Sequence, residues 1–135
     1  MLCYNDNENS LVDIVEKIES FEVLENGKSS RIFPKDDKFN KLKTNIKNLF
    51  VTSRLMPAFS VSLHNETIQE LKKDFWFKIH FNQEVEKNGL PFSSLLFKLE
   101  EVQGFNLIRS FNKKYDGRCL YLDLDEKTDL KELLL

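Results

Sequence analysis

The sequence predicts an α+β fold, in which a mainly antiparallel sheet carries about four short helices packed on one face. This prediction depends on three observations. Apolar residues recur at helical spacing in the first half, they alternate with polar residues along consecutive segments of the second half, and three Asx-Gly pairs mark turns. A length of 135 residues is that of one domain, so we expect residues 1–135 to form a single globular unit.

Composition limits the classes of protein to consider. A hydrophobic share of 41% with 31% charged residues is typical of a soluble globular domain. A net charge of −2 gives no overall attraction to nucleic acid or anionic lipid. The opening "MLCYNDNENS" lacks the basic region and apolar run of a signal peptide, and no apolar stretch reaches the roughly 20 residues that span a bilayer. We therefore expect a cytoplasmic protein without membrane contact.

Helical spacing of apolar residues predicts four helices. The first begins at Ser10 and the second, basic and amphipathic, runs from Asp36 to about Phe50. Asn65 can cap the third, and Thr128 can cap the last, in "TDLKELLL". The core residues expected from the first two helices are Leu11, Ile14, Val15, Ile18, Phe39, Leu42, Ile46 and Leu49.

An Asn-Gly pair predicts a β-hairpin between the first two helices. Asn26-Gly27 suits a type I′ turn, because both central positions of that turn need positive φ. Pairing outwards from this turn sets Glu25 opposite Lys28, Glu22 opposite Arg31 and Phe21 opposite Ile32, three favourable cross-strand pairs.

The second half predicts an antiparallel meander, which follows a half-buried strand over 58–64. Its strands are "FWFKIHF", "LPFSSLLFKLEE", "GFNLIRSFNKK" and "RCLYLDL". Between the first two, an extra residue near Pro91 is expected, because it sets Ile79 opposite Leu99. A two-residue turn at Asp116-Gly117 sets Phe111 opposite Leu122, so Leu120, Leu122 and Leu124 are expected to be buried.

Two aspartates at the end of the last strand raise the question of a metal. Asp123 and Asp125 share one face, within reach of one Mg²⁺ or Ca²⁺. A solvated strand face shows the same alternation, and the calcium-loop pattern is missing, so we expect no metal and no cofactor. A divalent-metal nuclease or phosphodiesterase using Asp116, Asp125 and Lys127 is the alternative, since an acid-x-Lys pair beside another carboxylate is typical of such enzymes.

Other chemistry receives less support. His64 and His80 lack further zinc ligands nearby in sequence. Cys119 would need a histidine such as His80 across the sheet to form a nucleophilic pair. The basic helix offers Lys38, Lys41 and Lys47 to nucleic acid, but exposed lysines are common on solvated helices. Nucleic acid is therefore disfavoured as a partner.

The remaining candidate is a surface for a protein partner. Trp76, Lys78 and His80 share one face of a strand, and Tyr121, Asp123 and Asp125 share one face of another. If the helices cover the opposite side of the sheet, these residues form an exposed aromatic and acidic face; if helices cover both sides, Trp76 belongs to the core.

The function that this surface predicts is binding rather than catalysis. We expect a non-catalytic module that binds one protein partner stoichiometrically, such as a toxin-neutralising or defence-blocking inhibitor. The abundance of Phe, Lys and Asn with the single alanine Ala58 indicates an A/T-rich gene, and hence a microbial or phage-like origin.

Overall fold

The computed structural model describes residues 10–60, 72–111, 114–115 and 118–135. Eight strands and three helices occur in these ranges. In chain order they are a 3-10 helix (Val12–Lys17), β1 (Ile18–Glu25), β2 (Lys28–Ile32), α1 (Asp37–Val51), β3 (Ser53–Ser60), β4 (Phe75–Lys87), β5 (Leu90–Lys98), β6 (Glu101–Phe111), β7 (Lys114–Tyr115), β8 (Arg118–Asp129) and α2 (Leu130–Leu134).

The strands form one sheet in the order β2-β1-β4-β5-β6-β8-β3, and β7 also pairs with β6. All pairs are antiparallel. The predicted antiparallel sheet and its C-terminal meander are therefore confirmed. The expectation of about four short helices is wrong for the described ranges, which contain three helices, one of them long. The helix predicted after Asn65 lies outside the described residues.

Each face of the sheet carries its own apolar cluster. The inner face holds the main core, to which the 3-10 helix, α1 and α2 all contribute buried side chains. Its aromatic centre is a run of phenylalanine rings 5.0–5.6 Å apart, formed by Phe21, Phe39, Phe77, Phe97 and Phe105. The outer face holds a smaller cluster that contains no residue of the described helices. In the described ranges, the helices therefore pack on one side of the sheet only.

The first hairpin has the predicted register. Asn26 and Gly27 both have positive φ, as a type I′ turn requires. Glu25 faces Lys28, Glu22 faces Arg31 and Phe21 faces Ile32. The long amphipathic helix α1 is likewise confirmed, with its four predicted core residues buried: Phe39, Leu42, Ile46 and Leu49.

The β4–β5 pairing contains the expected bulge, but its position is wrong. Asn88 and Gly89 form the tight turn with positive φ, so Lys87 pairs with Leu90. The register shifts between His80 and Val85, and Ile79 faces Leu95 instead of Leu99. The extra residues lie in β4, where Asn82, Gln83 and Glu84 are exposed. A polar run accommodates a bulge there because its side chains remain in solvent.

The β6–β8 pairing also differs from the prediction. Phe105 rather than Phe111 faces Leu122, because β7 folds back on Ser110 and Phe111 and occupies that part of β6. The Asp116-Gly117 turn lies outside the described residues. The predicted burial of Leu120, Leu122 and Leu124 is nevertheless confirmed, since the alternation along β8 does not depend on which residues of β6 it meets.

The helix ends show two further departures. Ile18 belongs to β1 rather than to the first helix, and Ser10 Oγ accepts a hydrogen bond from the Val12 amide. At the C-terminal helix the cap is Asp129 instead of Thr128, which still pairs with Val102 in the sheet. No helix in the described ranges is long and apolar enough to cross a membrane.

Candidate functional site

A row of polar residues crosses the outer face of the sheet. Cross-strand pairing aligns Ser20, His80, Ser94, Ser110 and Tyr115 on five successive strands from β1 to β7. The strands position these side chains because every second residue of each strand faces outwards while its neighbours enter the core. His80, Ser94, Ser110 and Tyr115 of this row line a cleft of about 330 Å³.

A hydrogen bond joins His80 to Glu22 on the neighbouring strand. The two side chains are 18% and 17% exposed, and His80 Nε2 lies 2.7 Å from Glu22 Oε1. An ionised carboxylate can only accept, so Nε2 carries the proton and donates. Glu22 also accepts from Ser29 Oγ on β2. The hydrogen bond to Glu22 therefore holds the imidazole of His80 against the neighbouring strand β1.

The environment favours the neutral imidazole and the ionised carboxylate. Burial lowers the pKa of His80 below its ordinary 6.5, and the charges of Arg31 and Lys78 lower it further, against the opposing effect of Glu22. For Glu22, burial raises the pKa, but the hydrogen bonds from Ser29 and His80 and nearby positive charge outweigh it, leaving the pKa below 4.5. The pair therefore consists of a neutral donor and a charged acceptor at neutral pH.

We expect acid to destabilise the fold through this pair. Between pH 6.5 and the lowered pKa of His80, the unfolded chain binds a proton that the folded chain does not, so stability falls as pH falls. The lowered pKa of Glu22 acts in the same direction below pH 4.5. His80→Gln keeps an amide donor for Glu22 without a titrating group, and should flatten the dependence of unfolding free energy on pH between about 7 and 5.

Urea unfolding at several pH values measures this dependence. His64→Gln removes the other histidine of the chain, so measuring it alongside His80→Gln separates the contribution of His80 from that of His64. An unchanged slope in His80→Gln would contradict the lowered pKa.

Lys78 closes one side of the His80 cleft. Its ammonium lies 3.0 Å from the Tyr115 hydroxyl and 4.9 Å from the centre of the Tyr115 ring. Buried Ser94 and Ser110 hydrogen bond to each other through their hydroxyl groups on the floor. The cleft thus presents hydroxyls, an ammonium and an imidazole, while Trp76 lies further along β4.

Trp76 is part of the smaller outer cluster. It is 6% exposed and lies with Leu96, Ile108 and Cys119, and its indole N–H donates to the Lys73 carbonyl at 3.0 Å. Of the two alternatives that the sequence leaves open, an exposed Trp76 is therefore wrong, and the burial of Trp76 does not come from the described helices. The physical reason is the large apolar area of the indole, which the neighbouring strands cover on the outer face without the described helices.

Tyr121, Asp123 and Asp125 lie at the opposite end of the outer face. Tyr121 pairs across the strands with Met56 on β3 and with Asn106 on β6. Tyr121 also lies over Gly104, where an added Cβ would come within 2.0 Å of the phenol oxygen. Tyr121 and Asp123 are half-buried, and Asp125 is exposed. We call Met56, Tyr121, Asp123 and Asp125 the Tyr121 patch.

The predicted partner residues therefore occupy one face but not one contiguous patch. Lys78 and His80 on β4 are separated from Tyr121 on β8 by β5 and β6, which is about 14 Å at the usual strand spacing. The same separation excludes a nucleophilic pair of Cys119 and His80. Cys119 is itself buried in the outer cluster.

The residues of the alternative nuclease site are only partly described. Asp116 lies outside the described residues, as does His64. Asp125 is exposed, and Lys127 Nζ lies 3.2 Å from Glu101 Oε1 in an ion pair. Within the described ranges, no group of three His, Cys, Asp or Glu residues could hold a metal ion.

The lysines of α1 do not form one patch. Lys38 and Lys47 are nine residues apart, which places them on opposite sides of the helix, about 180° apart. Lys38 and Lys41 lie one turn apart beside α2, while Lys43 pairs with Glu16 at 3.0 Å. A nucleic-acid surface formed by Lys38, Lys41 and Lys47 together is incompatible with this geometry.

Sequence reasoning missed Glu22, Ser94, Ser110 and Met56 as parts of these sites. Glu22 was matched correctly to Arg31, but its second partner, His80, is 58 positions away in sequence, and no local pattern reveals that pairing. Comparison with family models, curated proteins and solved structures finds no match for this chain. The fold and the site together define an α+β protein. The outer face of its sheet carries a row of polar residues and a small apolar cluster.

Proposed function

We propose that this chain is a non-catalytic module that binds one protein partner stoichiometrically through the outer face of its sheet. The observation that carries the proposal is the Tyr121 patch. It combines an aromatic ring, the 36% exposed thioether side chain of Met56, and carboxylates. Tyr and Met are enriched in protein interfaces, whereas Asp belongs to the polar rim.

The patch is also rigid before binding. β8 is hydrogen bonded to β6 on one side and to β3 on the other, so its backbone has little conformational freedom left to lose. Tyr121 is held against Gly104, which leaves no room for a side chain beneath the ring. A surface that is ordered in advance loses less entropy on association.

The charges of the patch indicate a partner with a basic surface. Asp125 is exposed and carries the accessible negative charge of the patch, whereas Asp123 is half-buried and lies opposite Arg54 in the strand register. Carboxylates on a rigid face favour association with Lys and Arg side chains. We propose a basic site on a toxin or on a defence protein as the target, which makes this chain an inhibitor of microbial or phage origin.

One partner could reach both groups of candidate residues. A protein interface of ordinary size covers roughly 800 Å² on each partner, which is wide enough to extend from Tyr121 to Lys78 and His80. We therefore propose the Tyr121 patch as the centre of the interface and the His80 cleft as its periphery.

Capture from cells that naturally express the chain tests the proposal. The tagged protein should retain a partner that Tyr121→Ala combined with Asp123→Lys loses by about 100-fold or more in affinity, because this double change removes the aromatic anchor and reverses a charge. The affinity is measured by calorimetry with the purified partner, and light scattering should give a fixed stoichiometry.

Tyr115→Ala is the matched control. Tyr115 is a tyrosine of the same face, 37% exposed, that lies in the His80 cleft at the periphery of the proposed interface, so its loss should change the affinity by less than about tenfold. Equal retention by the wild-type protein and the double variant, with both folded by circular dichroism, would refute the proposal.

A further inference from the structure

A groove on the inner side of the sheet edge has a different character from the outer face. It has a volume of about 480 Å³ and lies between the β1–β2 hairpin, α1 and α2. Small-molecule sites have volumes of about 300–1,000 Å³. Six of its eleven lining residues are apolar: Val23, Ile32, Leu42, Leu133, Leu134 and Leu135. The other five are polar or charged: Ser30, Lys38, Lys41, Asn45 and Glu132.

The apolar part of the lining is incompletely covered. Val23, Ile32 and Leu133 are half-buried at the edge of the main core, and Leu135 is 57% exposed. Asn45 donates its side-chain amide to the Leu133 carbonyl at 2.9 Å, so α1 and α2 satisfy a polar group of the groove between themselves. The apolar surface of the groove is therefore available to a ligand, whereas the Leu133 carbonyl already has a hydrogen-bond donor.

Positive charge marks one side of the groove. Lys38 and Lys41 line it from α1, and both are exposed. Glu132 lines it from α2. The arrangement places two ammonium groups next to apolar walls, which complements a ligand with an apolar body and an anionic end.

The hydrogen-bonding capacity of the groove decides what kind of ligand fits. A peptide segment would bring its N–H and C=O groups against apolar walls, and each buried group without a partner costs about 1–3 kcal/mol. An unbranched alkyl chain carries no such groups and gains free energy with each methylene that it buries. The apolar part of the groove, along Val23, Ile32 and Leu133, therefore favours an alkyl chain over a polypeptide.

We propose that this groove binds a long-chain carboxylate, with the alkyl chain along Val23, Ile32 and Leu133 and the carboxylate at Lys38 and Lys41. The site is on the opposite side of the sheet from the Tyr121 patch, so this inference does not rest on the proposed protein binding. It assigns the chain a second ligand, of fatty-acid chemistry.

Titration with dodecanoate, below the concentration at which it forms micelles, tests the site by calorimetry and by two-dimensional NMR of the full chain. Dodecanoate should bind saturably, with shifts at Val23 and Leu133. Dodecanol, which has the same alkyl chain without the charge, should bind about tenfold more weakly. Equal binding of both compounds would overturn the role of the lysines.

Matched charge reversals separate this site from general attraction. Lys38→Glu with Lys41→Glu should weaken dodecanoate binding by about tenfold or more, because two attractions become repulsions. Lys47→Glu, on the opposite side of the same helix, should change it less than about twofold. Equal weakening by all of these changes would overturn the proposal.

A groove-filling change tests the position of the alkyl chain. Val23→Trp should abolish binding by occupying the groove, whereas Val51→Trp, at a position 62% exposed on α1, should not. If circular dichroism shows that Val23→Trp is unfolded, the charge-reversal variants at Lys38 and Lys41 serve as the test of the site. Absence of saturable binding to the wild-type protein, or saturable binding of an acidic amphipathic peptide at this site in place of dodecanoate, would refute it.

Discussion

Replacing Phe97 with alanine is expected to lower the free energy of unfolding by about 3–5 kcal/mol. Phe97 is fully buried, and its ring lies 5.6 Å from Phe77 and 5.0 Å from Phe105. These neighbours belong to β4 and β6, on either side of β5. Removing the ring leaves a cavity that strands held by their hydrogen-bond ladders cannot close, so the lost burial is not recovered.

Urea unfolding of the wild type and of Phe97→Ala measures this effect. Phe33→Ala makes the same chemical change at a position 40% exposed, where Arg31 stacks on the ring at 5.5 Å. That control should cost less than about 1 kcal/mol. Similar losses in the two variants would contradict the placement of Phe97 at the centre of the core.

The second large effect is expected at Arg109, which is 2% exposed. Its guanidinium donates to the Arg118 carbonyl at 2.6 Å and to the Pro91 carbonyl at 2.5 Å. It thereby ties β6 to the beginnings of β5 and β8. Arg109→Met preserves much of the apolar length of the side chain but leaves both carbonyls without these donors, and should lower the unfolding free energy by about 2–4 kcal/mol.

Arg109→Lys separates the effect of the positive charge of Arg109 from the effect of its guanidinium geometry. Lysine retains the positive charge, but a single ammonium does not reproduce the planar fork that reaches two carbonyls. We expect a loss intermediate between wild type and Arg109→Met, measured by the same unfolding experiment. An unfolding free energy of Arg109→Met equal to that of the wild type would show that the guanidinium of Arg109 does not hold the strands together.

Local patterns predicted those parts of the fold that local interactions determine. Asn26-Gly27 determined the register of the first hairpin, and the 3.6-residue spacing of Phe39 and Leu42 predicted α1 and its buried side, because turn geometry and helical period act over a few residues. The alternation along β8 likewise predicted that the side chains of Tyr121 and Asp123 point away from the main core.

Pairings between distant segments were not predictable in this way. The sequence predicts an extra residue near Pro91, because that register sets Ile79 opposite Leu99, whereas the structure places the extra residues at the polar run beginning at Asn82. β7 displaced the expected partner of Leu122, and Trp76 is covered by side chains from β5, β6 and β8. The energies that choose among these registers come from packing across strands.

The position of β8 has a consequence for how the chain folds. β8 separates β6 from β3, although β3 is formed by residues 53–60 and β8 only by residues 118–129. During synthesis, β3 and the part of β6 that pairs with β8 must therefore wait for this shared partner until β8 emerges from the ribosome. Such late, long-range closure makes folding slow and exposes the unfinished chain to aggregation. A chain that stalls before residue 118 should be a target for chaperones or proteases rather than a smaller functional domain.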